Sequence, residues 1–473
     1  MSNSFHHLDL LAKIFGVCLI VSVLGALMTT EVLLAEELPS VESILDEAIE
    51  LVVSSAKAGY GYGLLDVAER QARVRSCEKA KDLFKAAADS NERWAKEQTR
   101  TLRIEDHIRF LDTLLGAQRR AGCVEMMTTT AERLLALYHE QHRNHLAESA
   151  GDEFTTARHN LQLQLNLGEL YVGIGNLDAA RDVVPKIIQQ IRAAKWHPSL
   201  EFGDAAAFLA RMGHDDDALE VVNRYDLFFE ARQDIKEDFD NRHYWIYRVG
   251  NLAAVAEAQA ETGHQEAARA TLRRAIEKAR STPVAKLTEI HGLTFSYARD
   301  KSNEIGQGEA LQSAGLMRIV WHAARIGETA LALEAFELVS PLQDETGSTG
   351  ELIAALARKG EVETARKLLD RFGCSKRAII RVLLEKQDWA GALQADKAYP
   401  AVSCCEYEYT CDFFERDGIS GLGKAHTFVE GGARALAWAR EQTKHRKIYA
   451  LLEVIDALVE KNQVAAPSAT QKD

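Results

Sequence analysis

The stretch Leu167–Val184, LGELYVGIGNLDAARDVV, interrupts a helix-forming composition with two glycines and an asparagine. Ahead of Gly175 runs LQLQLNLGELYV, whose apolar residues recur three and four apart, the period of a helix with one buried stripe. A glycine at the C′ position ends such a helix at positive φ without a Cβ clash. Asn176 then opens a second helix, and Asp178 stands in its first turn, where the helix dipole favours an acid. The stretch predicts a turn between antiparallel helices, with Ala180 small enough to let them cross closely.

The same letters return along the chain. GHDDDAL from Gly213, GHQEAAR from Gly263, GETALAL from Gly327 and GEVETAR from Gly360 align with GNLDAAR on the glycine and on an alanine five residues later. QDWAGAL from Gln387 keeps Ala392 without the glycine, and GCVEMMT from Gly122 keeps the glycine without the alanine. Recurrence of one helix-turn-helix unit predicts a repeat array. Only 7 prolines in 473 residues force few helix breaks, and no region alternates apolar and polar residues like a sheet, so the expected class is all-α.

In LGELYVGIGNLDAA the positions of Leu167, Gly168, Tyr171, Gly175 and Ala180 match the small, aromatic and alanine pattern of the tetratricopeptide repeat, and the chain resembles that family. Ala206 and Ala256 stand at the small position of two further copies, whereas Val320 and Ile353 depart from it. The resemblance implies a right-handed α-solenoid of antiparallel helical hairpins with helical caps. The glycine-to-glycine steps are 38, 50, 64 and 33 residues, against a family period of about 34. The excess falls in RYDLFFEARQDIKEDFDNRHYW and in STPVAKLTEIHGLTFSYARDKSNEIGQGEAL, as insertions or as a decayed repeat around Gly292.

Residues 155–400 form the expected array. Residues 36–154 read as N-terminal helical hairpins: ESILDEAIELVVSSAKAG with CEKAKDLFKAAAD, turning near GYGYG (Gly59–Gly63), then HIRFLDTLLGAQRRAG with EMMTTTAERLLALYHEQ. GYGYG has no following lysine and serine or threonine, which excludes a phosphate loop. Residues 401–464 read as a C-terminal cap carrying a cysteine cluster and a closing helix pair, and 465–473 as a disordered tail.

A net charge of −13 opposes phosphate backbones and anionic lipid surfaces, so nucleic acid is not an expected partner. Residues 1–35 read as an export signal: Lys13 precedes the uncharged stretch Ile14–Met28, which is shorter than the roughly 20 residues of a spanning helix. Cleavage after Ala35 would give a periplasmic or extracellular protein. An uncleaved N-terminal membrane anchor is the competing reading, because Leu33 is large for its place before a cut.

Six cysteines remain beyond residue 35, an even number suited to an oxidising compartment, and Cys404, Cys405 and Cys411 lie close enough in sequence for a short disulfide loop. Cys77, Cys123 and Cys374 complete the six. His139, His142 and His145 repeat every third residue, but the sequence supplies no second element to complete a metal site, so neither metal nor cofactor is expected. No G-x-S-x-G, H-E-x-x-H or recognisable cysteine–histidine signature appears, and the chain is not expected to be an enzyme.

The expected function is an exported scaffold that binds a protein or peptide. A cell-envelope enzyme with an unfamiliar site and a purely structural envelope component stand as alternatives. In the family resembled, the first helix of each repeat lines the concave face. Carried onto this chain, that phase presents Gln162, Glu169, Arg211, Glu257, Glu261, Met317, Trp321, Arg325 and Arg358. Trp321 and Arg325 share a helix face and are the expected anchors, since tryptophan and arginine dominate many interfaces.

Overall fold

The computed structural model describes residues 39–56, 61–96, 100–149, 152–193, 200–231, 240–281, 307–339, 346–372, 376–398, 421–442 and 444–465. Among the described residues the regular structure is entirely helical. The first helices are α1 (Val41–Ala56), α2 (Gly61–Val74), α3 (Cys77–Lys96), α4 (Arg100–Ala121), α5 (Val124–Glu148), α6 (Glu153–Gly173) and α7 (Leu177–Ala193). Next come α8 (Leu200–Arg211), α9 (Asp215–Ala231), α10 (Asp240–Glu261), α11 (Gln265–Ser281), α12 (Gln307–Arg325), α13 (Thr329–Glu337) and α14 (Thr346–Lys359). The last are α15 (Val362–Phe372), α16 (Lys376–Glu385), α17 (Trp389–Ala398), α18 (Leu422–Val429), α19 (Gly432–Glu441) and α20 (Lys444–Ala465).

One turn design joins most even-numbered helices to their odd-numbered successors. At Gly213 (φ 82°) the glycine N–H donates to Ala210 and the next N–H, of His214, donates back to Leu209, the paired bonds of a Schellman motif. His214 then accepts the N–H of Ala218 and so starts the following helix. Ala218 and its counterparts Ala180, Ala268, Ala332, Ala365 and Ala392 are fully buried, because a larger side chain there would push the two helices apart. Gln387 takes the glycine's place before α17 and adopts φ 58°. Gly168 has a different role: a Cβ there would stand 2.5 Å from the ring of the buried Phe208, so glycine lets α8 approach α6.

The long interval before Gly263 is largely longer helix, since α9 extends to Ala231 and α10 begins at Asp240. The stretch around Gly292 lies outside the described residues.

Packing sorts the helices into two courses. Even-numbered helices pack on one another in succession: α2 on α4, α6 on α8, α8 on α10, α10 on α12, α12 on α14, α14 on α16 and α18 on α20. Helix α5 bridges α4 to α6, and α17 bridges α16 to α18. Odd-numbered helices reach each other mainly through long side chains, as in Arg192 to Asp217 and Arg280 to Glu334. Even-numbered helices thus form the closely packed inner course of the array, and odd-numbered helices the looser outer one.

The first and last described helices meet. Helix α20 packs on both α1 and α2, and the larger of two apolar clusters includes residues from Ile44 to Leu458, the smaller lying at α16, α17 and α18. Helix α1 therefore packs on α20 as an odd-numbered helix packs on the even-numbered one before it. The N-terminal region differs from the two hairpins expected there. Between the two segments read as its first hairpin stands a third helix, α2, and Gly61 and Gly63 of GYGYG belong to it. The closing pair α19 and α20 forms as read, but α20 buries Ile448, Leu451, Val454, Ile455 and Leu458 instead of presenting a polar capping face.

Candidate functional site

The inner wall is built by register. Counting back from each turn, the residues nine, six and two places earlier fall on one side of each even-numbered helix. The residue two places before the turn is Arg73 in α2, Arg120 in α4, Arg211 in α8, Glu261 in α10, Arg325 in α12, Arg358 in α14 and Glu385 in α16. Six places before it stand Glu69, Glu169 and Glu257 in α2, α6 and α10, and Trp321 in α12.

These rows close into a ladder of ion pairs between neighbouring helices. Arg120 reaches Glu69 at 2.9 Å, Arg211 reaches Glu169 at 2.6 Å and Arg325 reaches Glu257 at 3.0 Å, each an arginine meeting the acid of the preceding even-numbered helix. Arg211 also contacts Glu261 at 3.4 Å. Further along, Arg381 forms a double hydrogen bond with Glu351, and Arg358 with Glu385. Where α20 meets α1 and α2, Arg73 and Arg70 hold Asp456 at 3.4 and 3.2 Å, and Arg440 holds Glu47 on the odd-numbered side.

Titration follows from this pairing. Burial raises the proton affinity of Glu257, but the His322 hydrogen bond and the charges of His322 and Arg325 outweigh it and hold the carboxyl below its ordinary range. His322 Nδ1 lies 2.5 Å from Glu257 Oε2. Desolvation opposes the charge on Arg211, and Glu169 with Glu261 more than restores it, leaving its pKa raised.

Of the residues expected to face a groove, Arg211 pairs with Glu169 and Glu261, Arg325 pairs with Glu257, and Arg358 pairs with Glu385. Gln162 donates to Asn166 within its own helix. Trp321 is half-buried, and the Arg325 guanidinium lies 5.8 Å above its ring. Met317 is fully buried and so does not face a groove: it stands ten places before its turn, in register with the buried Leu165 and Ala253.

Sequence reasoning missed Arg73, Arg120, Asp456 and His322. Arginine two places before the turn was a readable signal; Asp456 was not, because its partners Arg70 and Arg73 stand far away in the sequence.

Cys404, Cys405 and Cys411 lie outside the described residues. Among the described residues the structure joins Cys77 to Cys123, which sit at the starts of α3 and α5 and tie two successive helix pairs along the turn edge. The histidines of α5 acquire a second element in His159 of α6, whose ring lies 4.2 Å from that of His145. Among the described residues no three side chains are placed to hold a metal ion. Burial, then the neighbouring His139 and His145, lower the pKa of His142 against a backbone hydrogen bond at His159. Glu453 of α20 accepts the backbone N–H groups of Gly421 and Gly423 at the start of α18, and burial pushes its carboxyl up to about 8 against that pull. Among the described residues no helix is long and apolar enough to cross a membrane.

No family model matches the chain, and no curated protein matches it. Among solved structures it is similar to a "circular tandem repeat protein with novel repeat topology and enhanced subunit contact surfaces", over 90% of this chain and 98% of that one, at 14% identity and a TM-score of 0.29. A likeness at so low a TM-score carries no weight for function.

Proposed function

We propose that this protein is an exported helical-repeat scaffold whose even-numbered helices present an inner surface to a protein or peptide partner. The reading takes the helices as antiparallel hairpins stacked in a right-handed course, the arrangement of the tetratricopeptide family. One observation carries it: charged groups of neighbouring even-numbered helices pair along one side of the course, and half-buried Trp321 interrupts that line beside Arg325. Arginine and tryptophan at a partly enclosed position are the residue types that anchor interfaces. The proposal invokes no catalytic group, cofactor or nucleic acid.

Export is supported by the Cys77–Cys123 bridge, since disulfides persist in oxidising compartments, and by the short apolar segment at Ile14–Met28. A fusion of alkaline phosphatase after residue 60 tests it: activity in cells places the chain outside the cytoplasm, and inactive fusion rules export out. N-terminal sequencing then separates cleavage after Ala35 from a retained anchor.

The binding face is tested with a photo-crosslinking amino acid at position 207, on the inner course, and at position 273, on the outer one. Recurrent crosslinking to one protein from position 207, with none from 273, supports the reading. The reverse pattern refutes it. Trp321→Ala should abolish the crosslink without moving the melting temperature; if Trp321 instead serves the core, the change costs about 3–5 kcal/mol of stability.

A further inference from the structure

We infer that the part of the inner surface formed by α12 takes an acidic peptide segment, with carboxylates on Arg318 and Arg325 and an apolar side chain on Trp321. This rests on the inner-face reading above and names the chemistry of the partner. At the three inner positions, nine, six and two places before the turn, α12 carries arginine, tryptophan and arginine. The same positions hold Asp66, Glu69 and Arg73 in α2, Ala254, Glu257 and Glu261 in α10, and Glu351, Ala354 and Arg358 in α14. Helix α12 is thus the basic rung between two acid-bearing neighbours.

Its side chains are already arranged. Arg318 is exposed and lies across Gly250 of α10, where a Cβ would stand 2.9 Å from its Cδ. Arg325 is fixed over Trp321 by its ion pair with buried Glu257, which also orients His322. With one nitrogen on Glu257, the Arg325 guanidinium has further N–H donors to offer a carboxylate beside the Trp321 ring. The ring beside it offers apolar area to the next side chain of the ligand.

The neighbours limit what fits. Glu261 on one side and Glu351 on the other flank the rung, and the chain as a whole carries −13. A continuous polyphosphate would meet repulsion within one helix spacing, about 10 Å. A peptide with a few carboxylates interleaved with aromatic or aliphatic residues does not.

The test uses the full chain and three fluorescein-labelled twelve-residue peptides that alternate tyrosine with glutamate, glutamine or lysine, followed by anisotropy at low salt. The glutamate peptide should bind at least tenfold tighter than the other two. Arg318→Gln with Arg325→Gln, and separately Trp321→Ala, should each weaken it at least tenfold at unchanged melting temperature. Arg273→Gln with Arg366→Gln, on odd-numbered helices, should leave it unaltered. Equal binding of glutamate and glutamine peptides, or none by any, overturns the acidic partner. If that equal binding is still lost in Trp321→Ala, the inner-face reading survives on its own. Loss only in the Arg273/Arg366 variant overturns both.

Discussion

Helices α10 and α11 and helices α20 and α1 form the same kind of pair, yet the first is joined by a turn at Gly263 and the second by side chains alone. In α11 the starting residue His264 accepts the N–H of Ala268, and the residues buried four, eight and twelve places on are Ala268, Leu272 and Ile276. In α1 Ser40 accepts the N–H of Ile44, and Ile44, Ala48 and Val52 are buried at those same places. The inner ion pair agrees as well: Arg325 reaches back to Glu257 as Arg73 reaches back to Asp456. What defines the repeat is the packing register, and the glycine turn is only its covalent accompaniment.

The heaviest test of that equivalence removes α1. A chain beginning at Tyr60 removes the helix that packs on both α2 and α20, with its own buried Ile44, Leu45, Ala48 and Val52, and bares the apolar surface it covered, more than any single substitution exposes. We expect a melting temperature lowered by well over 10 °C, or association between copies through the bared stripe. Adding a synthetic peptide of residues 38–58 should restore the melting temperature. An undisturbed truncated protein would show that α1 is an ornament of the fold and that its register match with α11 has no energetic meaning.

The same contrast explains what could be read from the sequence. The turns at Gly122, Gly175, Gly213, Gly263, Gly327, Gly360 and Gln387 were legible because each concentrates its signal in a few adjacent residues, a helix stop followed by a cap. The class and most of the inner-course candidates followed from them. Helix α2 was obscured by the glycines and tyrosine at its start, whose low propensity is overridden by burial of Leu64, Leu65, Val67 and Ala68. The junction of α20 with α1 was illegible in principle: its partners stand some four hundred residues apart, and no short pattern encodes contact at that separation. Met317 misled because ten places before the turn and nine lie next to each other on a helix, and one place moves a side chain by about 100°.

A smaller effect is expected at the disulfide, which lies one helix pair away from that junction. Cys77 and Cys123 are separated by 46 residues, and closing a loop of that length stabilises by about 4 kcal/mol in the chain-entropy account. Replacing both by alanine should lower the urea midpoint. In the alanine variant the junction should still be the first region to exchange amide protons, since no turn joins α20 to α1. Earlier exchange around Gly263 would reverse the ranking of the two regions.

The smallest effect concerns a single turn residue, and it asks whether the covalent turn contributes energy of its own. Gln387 holds φ 58° where the matching positions are glycine at φ 74° to 88°. A side chain in that conformation costs about 1–2 kcal/mol, while glycine gives up about 0.4–1 kcal/mol through the freedom it adds to the unfolded chain. Gln387→Gly should therefore stabilise by up to about 1 kcal/mol. The reciprocal change, Gly213→Gln, should destabilise by a similar amount, because a Cβ at Gly213 has open space around it and backbone strain is the only penalty. Paired denaturation curves of the two variants decide the matter. Opposite shifts of comparable size mean that each turn contributes a local term independent of packing. A neutral Gln387→Gly beside a costly Gly213→Gln would mean that the α16–α17 turn has relaxed around its glutamine, and that even within the regular part of the array the turns are set by the helices they join.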